Sequence, residues 1–319
     1  MNADLSTTWI LHDGHAGNRR QAVALADALA LPWKEWVLQP RFPARWLAPR
    51  MLSNAAAGFG EDFAAALRHQ PPSLAIGCGR QAALATRYAR AAGATAVQIL
   101  DPRIDTRHWD WVIAPEHDGL VGDNVLTLCG SLHPVDGAWL QRARARFPAM
   151  GSLPGPRTAV LLGGPTRAVR FDRSAFEVMM AKLEYWLARD GGSLLICGSR
   201  RTTREVRALA RARYAADPGI VWMDEAAGEN PYAGVLAWAD RIVASPDSVN
   251  MVSEACATSV PVYVAEPGRA TGRVRRYLDD LLARGRIRAQ SSEPHAFVAE
   301  PLLETPRIAA LLRERLRLD

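Results

Sequence analysis

Residues 239–267, ADRIVASPDSVNMVSEACATSVPVYVAEP, decide the fold. Arg241–Ala244 is an apolar run of strand length. Ser245, Asp247, Ser248 and Asn250 follow as a turn crowded with hydroxyl, carboxylate and amide groups. Val249–Thr258 has a helical pattern, and Val262–Ala265 is a second apolar run closed by Glu266-Pro267-Gly268. Strand, polar turn, helix, strand is one βαβ unit, whose crossover lays the second strand parallel to the first. Ligands of open parallel sheets sit outside the carboxyl ends of the strands, so the turn is the place to look for a site.

The same rhythm runs outward in both directions. Strands are expected at Thr158–Leu162, Ser193–Cys197 and Ile220–Met223, with helices at Ser174–Ala188, Thr203–Ala215 and Tyr232–Trp238. Upstream, strands are expected at Thr8–His12, Glu35–Leu38, Leu74–Gly77, Ala96–Leu100, Trp111–Ala114 and Val125–Leu128. Helices fall at Arg19–Leu29, Asp62–Arg68, Gln81–Ala91 and Gly137–Arg146. Phe147–Arg157, FPAMGSLPGPR, is rich in Pro and Gly and reads as a linker. The expectation is therefore an α/β protein of two Rossmann-like domains facing a cleft, 1–150 and 151–305. The last amphipathic helix, within 306–319, crosses back to the first domain. A chain of 319 residues is long enough for two cores. The strand ends LAIGCGRQ (Leu74–Gln81) and LLICGSRR (Leu194–Arg201) echo each other and favour two similar halves.

Composition excludes several classes. Hydrophobic residues make up 49% and charged residues 23%, an ordinary globular balance. No run approaches about eighteen apolar residues, and no charged start precedes an apolar run at the N-terminus. The expectation is a cytoplasmic protein, at most peripheral to the inner membrane. Cys78, Cys129, Cys197 and Cys256 form no CxxC pair, so a zinc site is not expected. The net charge of +6 is almost all arginine, since Lys34 and Lys182 are the only lysines. Arginine suits phosphate and carboxylate ligands, but no run is basic enough for nucleic acid. Arg273, Arg275, Arg276, Arg284, Arg286 and Arg288 serve either an anionic membrane or the solvated face of a helix.

The loops at strand ends carry the candidate site. After the first strand comes Asp13-Gly14-His15-Ala16-Gly17-Asn18. A tight turn explains the glycines, but not three polar side chains, Asp13, His15 and Asn18, in one loop. Arg80 and Gln81 follow a glycine turn; Asp101 and Glu116 follow later strands, where each also suits a helix cap. In the second half, Gly163 and Gly164 suit close approach of a phosphate, and Gly198-Ser199-Arg200-Arg201-Thr202 suits a diphosphate clasp. Ser248, Asn250 and Glu254 complete the set. Glu254 lies too far along for a capping box, and one carboxylate accepts from both hydroxyls of a ribose. There is no GxxxxGK[ST] and no GxGxxG with a following acid, against a Walker ATPase and a nicotinamide dehydrogenase.

With these residues in view, the 239–267 segment resembles the nucleotide-sugar motif of GT-B glycosyltransferases. There a strand, a serine-rich turn, a Ser-Glu on a helix and a strand ending in Pro recur. The resemblance implies that Glu254 binds ribose and that the Asp13–Gly17 loop, with His15, stands for that family's glycine-rich first loop. The first loop here reads DGHAGN rather than GGTGGH. A closer likeness spans nearly the whole chain: WILHDGHAGNRRQAVALADAL, GCGRQAA, QILDPR and PDSVNMVSEA resemble the mitochondrial-fission "elongated mitochondria" family and its bacterial relatives. It implies either a glycosyltransferase-like enzyme or a non-catalytic adaptor that uses the fold to hold a protein partner. As an enzyme, the chain would take a nucleoside-diphosphate sugar as substrate, with no cofactor and no metal. Gly163, Gly164, Ser199, Arg200 and Thr202 would hold the diphosphate, Glu254 the ribose, and His15 with Asp13 would serve the acceptor as base. Acceptor partners would include a lipid-linked one at a membrane surface. An epimerase, using Asp13, Asp101 and Glu116, is the near neighbour.

Overall fold

The computed structural model describes residues 7–42, 44–50 and 55–318. In chain order the first half holds β1 (Thr8–His12), α1 (Ala16–Ala28), β2 (Trp33–Val37), α2 (Ala44–Leu47), α3 (Glu61–His69), β3 (Leu74–Cys78), α4 (Arg80–Ala91), β4 (Thr95–Ile99), β5 (Trp111–Pro115) and β6 (Val125–Leu128). The second half holds α5 (Gly137–Arg146), β7 (Arg157–Leu162), α6 (Arg173–Asp190), β8 (Ser193–Gly198), α7 (Arg204–Tyr214), β9 (Gly219–Trp222), α8 (Tyr232–Trp238), β10 (Arg241–Ala244), α9 (Val249–Cys256), β11 (Val262–Val264), α10 (Gly272–Ala283), β12 (Ile287–Ala289) and α11 (Glu304–Leu316). The chain is α/β, with two six-stranded parallel sheets.

Two compact units result. One runs to Pro134 and regains the chain from Glu304, and the other is Val135–Leu303. The division falls ahead of Phe147–Arg157. α5 and the turn Pro148–Ser152 pack on α8, where Gly151 and Gly234 let Trp238 and Phe147 come close.

In the first unit the strand order is β2-β1-β3-β4-β5-β6. Because side chains alternate across a strand, Ile10 goes to one face and Trp9 and Leu11 to the other. Ile10 joins Leu25 of α1 and Leu29, which ends that helix, with Ile308, Leu312 and Leu316 of α11; Trp9 and Leu11 join Phe63 and Leu67 of α3 with Leu84 and Tyr88 of α4. α11 is fastened by its first residues. Buried Glu304 accepts the Cys129 N–H at 2.8 Å, and the Thr305 hydroxyl both accepts from and donates to the backbone of His133.

In the second unit the order is β9-β8-β7-β10-β11-β12, the doubly wound Rossmann order, whose crevice opens where the winding reverses, between β7 and β10. The corresponding reversal in the first unit lies between β1 and β3. The echo of LAIGCGRQ and LLICGSRR does not mark equivalent strands, because β3 lies across the reversal from β1 and β8 does not lie so from β7. β12, three residues at the sheet edge among arginines, has no apolar run for sequence to read. All four cysteines are buried. Among the described residues no helix is long and apolar enough to cross a membrane.

Candidate functional site

In the first unit the polar side chains gather at the reversal between β1 and β3. Buried His12 ends β1; its Nδ1 accepts the Gly14 N–H at 3.0 Å, and Nε2 lies 2.6 Å from Glu35 Oε1 on β2. With Nδ1 accepting, the ring hydrogen sits on Nε2 and is donated to Glu35. Gly14 has φ +79°, which a side chain would strain. Arg19 forks onto the same carboxylate at 2.7 and 2.9 Å. The Arg19 guanidinium, aided by His12 and opposed by partial burial, holds the Glu35 carboxyl down to about 2.

Asp13, His15 and Asn18 build the outer edge of this locus. Asp13 Oδ1 accepts from the His15 N–H at 3.1 Å and from Asn18 Nδ2 at 3.0 Å, and lies 3.0 Å from His15 Nδ1. Burial raises the pKa of Asp13, but the hydrogen bonds from Asn18 and His15 outweigh it and hold the carboxyl below its ordinary value. The His15 imidazole is 80% exposed. On its other side Asn18 accepts from the Cys78 thiol at 3.7 Å and presses on Gly79, where a Cβ would stand 2.5 Å from the amide nitrogen. The first turn of α1 thus meets the end of β3 and its following turn through Asn18.

Arg80 and half-buried Gln81 open α4 beside that contact, and Arg80 donates to the Arg45 carbonyl at 2.8 Å. Asp101, after β4, turns back onto the Arg103 N–H at 2.8 Å. Glu116, after β5, begins three strand spacings of about 4.8 Å from β1, so about 14 Å across the sheet. The structure therefore groups Asp13, His15, Asn18 and Arg80, and leaves Glu116 apart.

In the second unit the loops after β7, β8 and β10 lock together at the reversal. The buried Asp247 carboxylate accepts from Gly164 N–H at 3.0 Å, from the Ser245 hydroxyl at 2.6 Å and from Arg201 at 2.8 Å. Ser245 Oγ in turn accepts the Gly163 N–H at 2.8 Å. A Cβ on Gly163 would stand 2.1 Å from both Asp247 oxygens, and one on Gly164 1.9 Å from the Arg201 carbonyl. The glycines and their N–H groups are therefore committed to this internal lock. Thr202 is committed too: its buried hydroxyl donates to the Leu162 and Gly163 carbonyls and accepts the Ser199 N–H. Arg200, by contrast, is exposed.

α9 starts against this lock. Ser248 caps it, accepting the Met251 N–H at 3.4 Å, and Asn250 sits half-buried in its first turn. Glu254 is not a surface residue: it is 4% exposed, and Oε2 accepts the Tyr232 hydroxyl at 2.5 Å. The far end of α9 is closed by Arg286, which donates to the Cys256 and Thr258 carbonyls. That buried arginine leaves the set read as a membrane or solvated face, while Arg275 and Arg284 pair with Asp279 and Asp280 along α10. Nearby a hollow of about 450 Å³ opens, lined by Arg170, Asp172, Ser174 and Arg269.

Sequence reasoning did not single out His12, Glu35, Tyr232, Arg170 or Arg269 as site residues. The one available signal was Glu35, a carboxylate inside a strand candidate. Tyr232 meets Glu254 only through the fold.

The comparisons with known proteins agree with this architecture. The profile of the family described as Mitochondrial fission ELM1 matches residues 16–316. The Mitochondrial fission protein ELM1 of Arabidopsis thaliana is 28% identical over 278 residues, covering 77% of this chain and 64% of that protein. The chain thus spans about two thirds of that relative's length at most. An uncharacterised protein of Rickettsia prowazekii (strain Madrid E) is 24% identical, covering 98% of this chain and 99% of its own. Among solved structures, Os79 from O. sativa in complex with UDP is 14% identical with a TM-score of 0.55, covering 98% of this chain and 91% of that one. The spinosyn forosaminyltransferase SpnP is 14% identical with a TM-score of 0.51, covering 97% and 94%. At these identities the likeness is one of fold, and the fold is GT-B glycosyltransferase-like.

Proposed function

The chain belongs to the mitochondrial fission ELM1 family, and from that premise we propose that it binds a nucleoside-diphosphate sugar in its second unit and transfers the sugar to a hydroxyl acceptor served by the first. The supporting observation is the polar lock at the β7–β10 reversal. It fixes the start of α9 beside exposed Arg200, with the Glu254 carboxylate lower on the same helix. Os79, of like fold, was solved with UDP.

In this reading Arg200 and the first turn of α9, with Ser248 and Asn250, face the diphosphate. Ser199, Thr202, Gly163 and Gly164 shape the turn that presents Arg200. Glu254 accepts from the ribose hydroxyls, with one of its oxygens already steadied by Tyr232. During transfer the acceptor oxygen bonds to the sugar's anomeric carbon as its bond to the diphosphate breaks. The acceptor proton passes to His15, whose imidazolium is stabilised by the Asp13 carboxylate at 3.0 Å. The charge on the leaving diphosphate falls to Arg200 and the α9 N–H groups.

The test is turnover of UDP-sugars beside calorimetric binding of UDP. His15→Ala should abolish transfer and keep UDP binding. The fission name of the family supports a second reading, a non-catalytic adaptor. Wild-type protein that binds UDP yet turns over no nucleotide sugar would favour it.

A further inference from the structure

Phe42 and Trp46 are the most exposed of the Phe, Trp and Tyr residues among those described, at 82% and 77%. They stand four positions apart, on either side of the start of α2, and the Arg45 N–H bonds the Arg41 carbonyl at 3.1 Å. Arg41, Arg45 and Arg50 are exposed in the same stretch. No carboxylate among the described residues pairs with them, and the sequence carries no acid from Lys34's neighbour Glu35 until Glu61. This surface is held in place. Arg80 donates to the Arg45 carbonyl at 2.8 Å and Arg87 to the Pro49 carbonyl at 2.6 Å, so α4 grips the segment from below. It also adjoins the first-unit locus: Val37, 53% exposed, lies against Gly14.

An exposed aromatic normally costs solubility without return, and two on one turn among unpaired arginines form a recognisable pattern. Aromatic rings settle at the level of lipid headgroups, and arginines without acids are drawn to anionic lipid. Protruding single rings suit insertion between lipids, whereas a protein interface calls for a broad packed patch.

We propose that the Phe42–Trp46 turn docks the first unit on an anionic lipid bilayer, which would set the Asp13–His15–Asn18 locus beside the membrane surface. The proposal goes beyond the transferase reading and does not depend on it.

Co-sedimentation of the whole chain with vesicles tests it. Wild-type protein should sediment with vesicles of phosphatidylcholine mixed with phosphatidylglycerol, not with phosphatidylcholine alone, and salt should release it. Phe42→Ala with Trp46→Ala should lower the partition coefficient by roughly tenfold or more. Arg41→Gln and Arg45→Gln should each lower it about fivefold. Tyr185→Ala, an exposed aromatic on α6, should leave it unchanged. Unchanged melting temperatures confirm that the variants are folded. Quenching of tryptophan fluorescence by brominated lipid should fall in Trp46→Phe, which reports insertion without removing an aromatic. Failure of the wild type to sediment, or equal binding by the aromatic variant, overturns the proposal. So does an aromatic variant that changes self-association in ultracentrifugation but not vesicle binding, since the turn would then seat a second copy. UDP calorimetry in parallel keeps the two ideas apart: lost UDP binding would sink the transferase reading alone.

Discussion

Asp247 and Gly164 are joined across the reversal of the second sheet, carboxylate oxygen to N–H at 3.0 Å, with the acid buried. The same carboxylate takes the Ser245 hydroxyl and one Arg201 nitrogen. Asp247→Ala therefore strands a buried N–H and a buried hydroxyl, and should cost about 2–4 kcal/mol. Equilibrium unfolding in urea measures it. A loss within about 0.5 kcal/mol, the usual range for surface substitutions, would mean that the lock does not hold the loops.

Gly163 supplies a second test of the lock. A methyl there would meet both Asp247 oxygens at 2.1 Å, so Gly163→Ala should destabilise by about 1–3 kcal/mol. Truncating Asp247 removes the obstacle. The added cost of Gly163→Ala in an Asp247→Ala background should therefore be smaller, giving a coupling of about 1 kcal/mol. Strict additivity would place the strain elsewhere.

The Glu35 carboxylate, held by Arg19 first and by His12, predicts a pH dependence. Folding lowers its pKa from the ordinary 4.5 to about 2, so the unfolded chain binds the proton first as pH falls. The stabilisation is complete above the ordinary glutamate range and is lost as pH drops from there toward about 2. Allowing for the exposed side of the carboxylate, Glu35→Gln should cost about 1–2 kcal/mol at neutral pH and little in acid. A cost that does not shrink on acidification would detach Glu35 from this role.

How far the sequence discloses this molecule can be followed residue by residue. The parallel architecture was legible because apolar strand runs and amphipathic helices alternate with different periods. The short edge strand at Ile287–Ala289 was not, since an edge strand of three residues carries no pattern. Asp13, His15 and Asn18 could be found together because they lie within six consecutive residues, although the structure puts Asn18 in the first turn of α1 and not in the loop. The Tyr232–Glu254 pair and the His12–Glu35 pair could not, because each joins residues on separate elements. Gly163 and Gly164 were legible as a close approach. What approaches is Asp247 and the Arg201 backbone, and sequence alone does not distinguish a ligand from the chain itself.

With those glycine N–H groups engaged, the diphosphate contact in the proposed function leans on Arg200. Arg200→Ala should weaken binding of UDP by about 1.5–3 kcal/mol, the usual worth of a charged hydrogen bond. Calorimetry reads this directly, with thermal stability as the control, since an exposed side chain in the loop after β8 should not alter the fold. Unchanged affinity would remove Arg200 from the site and return attention to Arg170 and Arg269 around the neighbouring hollow.

Glu254 carries the heaviest demand. It is 4% exposed and accepts the Tyr232 hydroxyl through Oε2. If its carboxylate also accepts from both hydroxyls of a ribose, Glu254→Gln keeps the shape but turns one charged acceptor into a donor. Binding of UDP should fall, while binding of 2′-deoxy UDP, already short of one hydroxyl, should fall less. Tyr232→Phe separates the steadying role from the contact: it should weaken both ligands alike, because the tyrosine touches the acid and not the sugar. A glutamate that only ties α8 to α9 predicts equal losses for the two nucleotides in Glu254→Gln as well. The comparison is a double-mutant cycle between protein and ligand, so any general loosening of the fold cancels to first order. Equal losses would place Glu254 outside the ribose site, and the nucleotide reading would then stand on Arg200 and the start of α9 alone.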